Sequence, residues 1–366
     1  MDKNKLLYAA LSGAAAIAFT LAPAMAATAG NDTTGADSDN DASVDIDNDL
    51  TISQTNNLQV TNDIDIDSNT GDNSADENTG DGSVSTGDAS AGVSVSTSGN
   101  SNSLSMSGGD AGDLSASNSH TGHDSDNEAE VEVDNDVDVT QVNNADVDND
   151  IDVDADTGDN SADENTGDGS VDTGDADVEV SIESDLNENV LEIDGLGGGD
   201  LSATNDTTGA DSDNEAEVEI DNDVAISQVN NLEVDNDLDI DADTGDNSAD
   251  ENTGDGNVDT GDAEVDVEVS TSGNSNDASV GDGMDEDFEV SNDTTGADSD
   301  NEAEVEVEND VDVTQLNNSD VDNDGDIEAE AGDNSSDENT GDGEVDAGGT
   351  DVEVQISTEV NSNSLD

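Results

Sequence analysis

The chain has 366 residues, 100 of them Asp or Glu against 2 Lys or Arg, for a formal charge of −98, and it contains no cysteine. So acidic a chain lacks the cationic side chains that neutralise phosphates, which excludes nucleic acid as a direct partner and disfavours anionic lipid. Disulfides and thiolate metal sites are excluded as well.

Both basic residues, Lys3 and Lys5, lie at the head of an apolar run from Leu6 to about Ala22, which closes on the small residues Ala24, Met25 and Ala26. This is the pattern of a secretory signal peptide, residues 1–26, with cleavage predicted after Ala26. Ser12 and Gly13 interrupt the run, and it barely reaches the ~18 apolar residues that a membrane span requires. The mature chain is predicted to be secreted, extracellular or at the cell surface, without a membrane span and without a base to pair its carboxylates.

After the leader, NDTTGADSDN at Asn31 returns as NSHTGHDSDN at Asn118 and as NDTTGADSDN at Asn205 and Asn292, at a constant spacing of 87 residues. Four copies follow: 31–117, 118–204, 205–291 and a shortened 292–366. Duplication alone gives equal lengths, but a fixed register also suits units that stack on one another.

Each copy opens with that turn and continues into an alternating stretch, in the second copy Glu128 to Asp156. There Ala129, Val131, Val133, Val137, Val139, Ala145, Val147, Ile151, Val153 and Ala155 take odd positions, with Asp or Glu between most of them. A period of two predicts a strand with one apolar and one acidic face. Asn135, Gln141, Asn143 and Asn149 share the odd parity, so the amides are predicted to face inward. An acidic loop, TGDNSADENTGDG, comes next, and then a second alternating run carrying Ala176, Val178, Val180 and Ile182. A Gly/Ser/Asn-rich segment closes each copy, with Leu114, Leu201 and Phe288 in equivalent slots that read as plugs for the end of each core.

Within the long stretch, Val133 to Val139 matches Val147 to Val153 at an offset of 14 residues. A hairpin about Asn143 would set Asn135 against Ile151, whereas parallel stacking of the two segments sets Val on Val and Asn135 on Asn149. Like-on-like amide ladders satisfy buried Asn in solenoids and cross-β assemblies. The predicted fold is therefore all-β, a repetitive β-solenoid (parallel β-helix-like) stacked from 87-residue repeats; the alternatives are tandem small β-sandwiches, or a chain disordered without cations.

The Asp/Asn/Gly-rich repeats with alternating Val and Asn resemble those of secreted bacterial β-solenoid proteins of the calcium-dependent adhesin or fibre type. Ile52 to Val60, ISQTNNLQV, is faintly similar to curlin repeats, although the spacing differs, and the GDG and TGD elements resemble calcium-binding repeats-in-toxin without their GGxGxD nonapeptide. The resemblance implies an extracellular structural or adhesive role.

Charge fixes the chemistry to be expected. Alternate carboxylates on a strand face lie ~7 Å apart and repel by about 0.6 kcal/mol per pair even in water. Summed over the chain this exceeds the few kcal/mol that separate folded from unfolded domains, so bound cations or high salt are required. Oxygen-only, flexible ligand sets suit Ca2+ better than Mg2+. The candidate metal ligands are Asp72, Asp76, Glu77 and Asp81 in the first loop; Asp159, Asp163, Glu164 and Asp168 in the second; Asp246, Asp250, Glu251 and Asp255 in the third; Asp333, Asp337, Glu338 and Asp342 in the fourth; and Asp124 and Asp126 in the opening turn. A merely solvated acidic loop is the plainer reading of the same residues.

Two other features read as structural. Asp320 to Gly325 fits the opening of an EF-hand loop, but Ala331 stands where the bidentate Glu belongs, and a strand with a glycine substitution accounts for it. His120 and His123 form a lone HTGH at an exposed turn. No Cys, no other His and almost no aromatic residue is at hand to build a catalytic pocket, so no enzyme is predicted. Sequons at Asn31, Asn205, Asn292, Asn317 and Asn334 permit glycosylation. The predicted function is an acidic, Ca2+-stabilised surface or fibre protein whose partners are divalent cations, its own copies or cell surfaces; the alternative is a conditionally disordered polyanion that buffers Ca2+ or nucleates mineral.

Overall fold

The computed structural model describes residues 14–20, 26–107, 113–194, 200–281 and 287–366. Every strand pairing among them is parallel, and the described residues contain no helix. The chain is a β-solenoid in which one 87-residue repeat makes one full rung: Asp213 pairs with Asp126 and Asp300, and Asp126 with Asp39.

Each rung is a flattened ring. Its long strand (Asp39–Asn69, Asp126–Asp156, Asp213–Asp243, Asp300–Glu330) runs for 31 residues, ~100 Å at strand rise. The acidic loop turns the chain back through a short strand such as Gly169–Asp172. A return strand (Ala89–Ser107, Ala176–Asp194, Ala263–Val280, Thr350–Leu365) and a six-residue closing strand (Ala27–Asp32, Leu114–Ser119, Leu201–Asp206, Phe288–Asp293) then run back over the long strand of the same rung or the next. With four rungs ~4.8 Å apart, the molecule is a plate much wider than its stack is tall.

The core lies between the two layers. Ala129 and Val131 pack against Leu114 and Ala116, Val137 and Val139 against Leu104, Met106, Leu191 and Ile193, Ala145 and Val147 against Leu186, and Ile151, Val153 and Ala155 against Ala176 to Ile182. The odd residues of the second long strand are buried or partly so, the four amides included, as the alternation predicts. Leu114 and Leu201 are also buried, in the cluster at the start of the long strands, one end of the core, whereas Phe288 in the same ladder is exposed.

Three readings of the sequence change. The 14-residue offset is not a stacking offset: both segments lie end to end on one strand, and Asn135 stacks on Asn48 and Asn222, not on Asn149. The second alternating run does not stop near Ile182 but extends to Asp194 through a bulge at Asn187, whose φ is +64°. Across that bulge the inward parity switches from even (Ile182, Leu186) to odd (Leu191, Ile193). Finally, Asn205 is wholly buried, its Nδ2 donating to Glu215 O and to Asn292 Oδ1, and so is no glycan acceptor in the folded chain. Asp320 to Gly325 lies within a strand as expected, with Gly325 in the ladder position of Leu238.

Of the leader, Ala14–Thr20 forms a strand along the edge of Ala89–Ser107, pairing Ala14 with Ser101 and Thr20 with Ser107. Lys3, Lys5, Ala24 and Met25 lie outside the described residues.

Candidate cation-binding surface

Stacking converts the alternating acidic sequence into a two-dimensional lattice. On the outward face of the long strands many carboxylates have like neighbours along their own strand and on the adjacent rungs: around Asp136 these are Asp138 on its own strand, Asp49 and Asp223 in its ladder, and Asp47 diagonally. Two unit charges ~4.8 Å apart repel by about 0.9 kcal/mol at the dielectric constant of water. Burial and then such like charges raise the carboxyls of Glu130, Asp134, Asp136, Asp152, Asp154, Glu217, Glu219 and Asp235 above their ordinary range, and burial with Asp175, Glu264, Asp88 and Asp262 does the same to Asp177 on the return strand.

The strongest case is Asp241, at the end of the third long strand. Burial, followed by Asp154, Asp243, Glu328 and Glu330, pushes it up to about 6. Its Oδ1 is buried and takes no hydrogen bond from any described residue. A buried oxygen with no donor and four acidic neighbours is stabilised by acquiring a proton or a cation.

The acidic loops stack in the same register, and most of their aspartates have a structural task. Asp159 accepts a hydrogen bond from the Asp246 amide at 2.8 Å, and Asp168 from the Asp255 amide at 2.9 Å. Asp163 is engaged at both oxygens, by the Asp250 amide at 2.6 Å and the Ser248 hydroxyl at 2.8 Å. Asp72, Asp76 and Asp81 repeat this pattern beneath the second rung, and Asp246, Asp250 and Asp255 beneath the fourth. These carboxylates thus cap backbone amides of the next rung, a role that the sequence reading did not assign. Asp333, Asp337 and Asp342 head the ladders on the fourth rung. Asp159 and Asp168 keep their Oδ2 atoms free of the amide bonds, whereas Asp163 has neither oxygen free.

Glu77, Glu164, Glu251 and Glu338 sit at exposed turn positions with φ of 53 to 56°. The loop carboxylates therefore form ladders along the stack, and the residues of one loop do not converge. An ion would be held between rungs, bridging equivalent oxygens, rather than inside one loop. Asp126, with Asp39, Asp213 and Asp300 and the ladder Glu128, Glu215 and Glu302, lines a polar groove that crosses the rungs at the start of the long strands.

The one described group of three side chains whose ligand atoms lie within 4.8 Å of one another is His123, Asp124 and Asp211. His123 Nδ1 is 2.9 Å from Asp124 and its Nε2 is 3.0 Å from Asp211 on the next rung, all of them exposed. His120, with φ +55°, replaces a threonine that is held in the left-handed region on the other rungs, as at Thr207 with φ +57°. A β-branched residue is unfavourable there, and histidine fits better. Local backbone geometry thus accounts for His120.

These groups offer hard oxygen atoms apart from one imidazole, a donor set able to hold a divalent cation, and among the described residues no Lys or Arg pairs them. Comparison with protein-family models, curated proteins and solved structures finds no match to this chain.

Proposed function

We propose that the chain is a secreted, cation-stabilised structural protein that works outside the cell as an adhesin, a surface-layer component or a fibre subunit, with Ca2+ as its cation. The observation that carries this reading is Asp241, a carboxylate with a buried, donorless oxygen inside a lattice of like charges. A stacked plate with acidic outer faces has the form of a scaffold, and its cation dependence would tie folding to the Ca2+-rich exterior of the cell.

If each ladder site binds at an extracellular-type Kd of about 10⁻⁴ M, then ~10 mM Ca2+ adds about 2.7 kcal/mol per site. The test is far-UV circular dichroism at low salt and neutral pH, with Ca2+ titrated upward and then removed by EDTA. The expected result is a β spectrum that appears with Ca2+, far less with Mg2+ at equal ionic strength, and disappears on chelation. A spectrum indifferent to EDTA overturns the reading.

A further inference from the structure

We propose that copies of this chain stack head to tail, fourth rung onto first, and that the leader strand Ala14–Thr20 holds the chain monomeric until it is removed. The proposal rests on the extracellular, cation-stabilised reading above and adds its mode of assembly.

The fourth rung leaves a face open. Val305, Val307, Val311 and Ile356 are 45, 40, 47 and 53 % exposed, whereas their ladder equivalents one rung below, Val218, Ile220, Val224 and Val269, are 0, 2, 3 and 1 % exposed. What covers those lower residues is another rung in register. The natural cover for the fourth rung is therefore the rung type that the molecule already stacks three times over, and a second copy presents it.

The hydrogen-bond polarity of the two ends matches. In the inward Asn ladders each Nδ2 donates to the next rung: Asn48 to Asn135, Asn135 to Asn222, Asn222 to Asn309; and likewise Asn62 to Asn149, Asn149 to Asn236, Asn236 to Asn323. Asn309 and Asn323 thus end with amide donors that no described residue accepts, and Asn48 and Asn62 begin with carbonyl oxygens to which no described residue donates. Placed fourth rung on first, donors meet acceptors at the same positions. Such a contact joins two different faces by a near-translation and does not close, so it generates a filament.

The leader lies where that contact would form. Ala14 pairs with Ser101, and the difference is 87 residues, the same register that relates every rung to the next. The leader strand is in effect a fragment of a preceding rung. By the same register, Ser362 to Leu365 of a stacked copy would pair with Ser101 to Leu104, as they pair with Ser275 to Ala278 within the chain. Both strands need the same edge of Ala89–Ser107, so they exclude each other. Cleavage after Ala26 would remove the competitor.

The experiment compares three forms of the full chain in Ca2+: unmodified, with Ala16→Pro and Ala18→Pro to dislodge the leader strand, and with those two changes plus Val354→Asp and Ile356→Asp on the open face. Sedimentation velocity and electron microscopy read assembly, while circular dichroism reads folding in the same samples. The unmodified chain is expected to sediment as a single copy. The proline variant is expected to form filaments with one 37.0 kDa copy per ~19 Å of axis, four rungs at ~4.8 Å each. The four-change variant is expected to return to monomer. A proline variant that is folded yet monomeric, or an unmodified chain that assembles equally well, overturns the inference while leaving the cation reading intact. Absence of a β spectrum in all three at saturating Ca2+ overturns both.

Discussion

Asn135 donates its side-chain amide to Asn222 Oδ1 at 2.7 Å, and the two residues are 87 positions apart. Asn149, only 14 residues from Asn135, belongs to a separate ladder in which its Nδ2 donates to Asn236 Oδ1 at 2.6 Å. The Asn149 ladder lies between packed sheets: Asn149 and Asn236 are fully buried. Asn149→Val therefore leaves the Asn62 amide without an acceptor and the Asn236 carbonyl without its donor. Each orphan costs about 1–3 kcal/mol. The single change should lower the melting temperature in Ca2+ more than does replacing Asn62, Asn149, Asn236 and Asn323 together with Val, because the full replacement strands no partner. An equal or smaller loss from the single change would remove the ladder as a source of register.

The lattice of carboxylates makes a pH prediction whose sign is fixed. Asp241 is raised from 3.8 to about 6, and many outward carboxylates are raised with it. A group raised on folding contributes stability that is fully present below its unfolded value and lost as pH rises through its folded value. Cation-free protein at low salt should accordingly gain β structure as pH falls from 7 towards 4. Asp76 opposes this at the acid end: burial raises it, but the Asp163 amide and the Ser74 and Ser161 hydroxyls outweigh burial and hold it low. Its contribution is lost as pH falls below the ordinary Asp range. Dichroism against pH in EDTA checks the window, and Ca2+ should flatten the profile.

The strand, its inward parity and the constant 87-residue register were legible in the sequence because alternation and exact repetition are local signals. The stacking partner was not. Offsets of 14 and 87 both bring Val onto Val and Asn onto Asn, and only closure of the whole ring selects between them. The bulge at Asn187 was hidden by composition, since Ser184 to Asn189 reads as loop. The change of parity from Leu186 to Leu191 was the available signal. The recurrence of the acidic-loop aspartates in every copy was legible in the sequence. Their amide-capping role depends on the rung above, which no local pattern displays.

That bulge can be tested directly. Asn187 combines φ of +64° with a hydrogen bond from its Nδ2 to Asn231 O at 2.6 Å. Asn187→Gly loses the hydrogen bonds but accepts the backbone, whereas Asn187→Ala loses both, at a further ~1–2 kcal/mol for a left-handed residue with a Cβ. Melting in Ca2+ should rank native above Gly above Ala. Indistinguishable Gly and Ala variants would mean that the left-handed backbone costs nothing there.

The turn glycines separate folding from assembly. Gly71 and Gly245 occupy the same place in their rungs, with φ of +82° and +72°. A Cβ on Gly245 would lie 2.4 Å from Gly158 O and 2.6 Å from its carbonyl carbon, which forces two rungs apart, while a Cβ on Gly71 meets nothing within 4 Å. Gly245→Ala should thus destabilise the single copy well beyond the ~1 kcal/mol of left-handed strain, and Gly71→Ala by about that strain alone. In a head-to-tail stack, however, Gly71 lies over Gly332 of the preceding copy, as Gly245 lies over Gly158 within the chain. There a Cβ would meet backbone. Chain freed of its leader strand and carrying Gly71→Ala should melt close to the parent yet fail to elongate, with particle length in electron microscopy as the readout. Filaments of undiminished length from that variant would show that the fourth rung does not dock on the first in the register that the molecule uses internally.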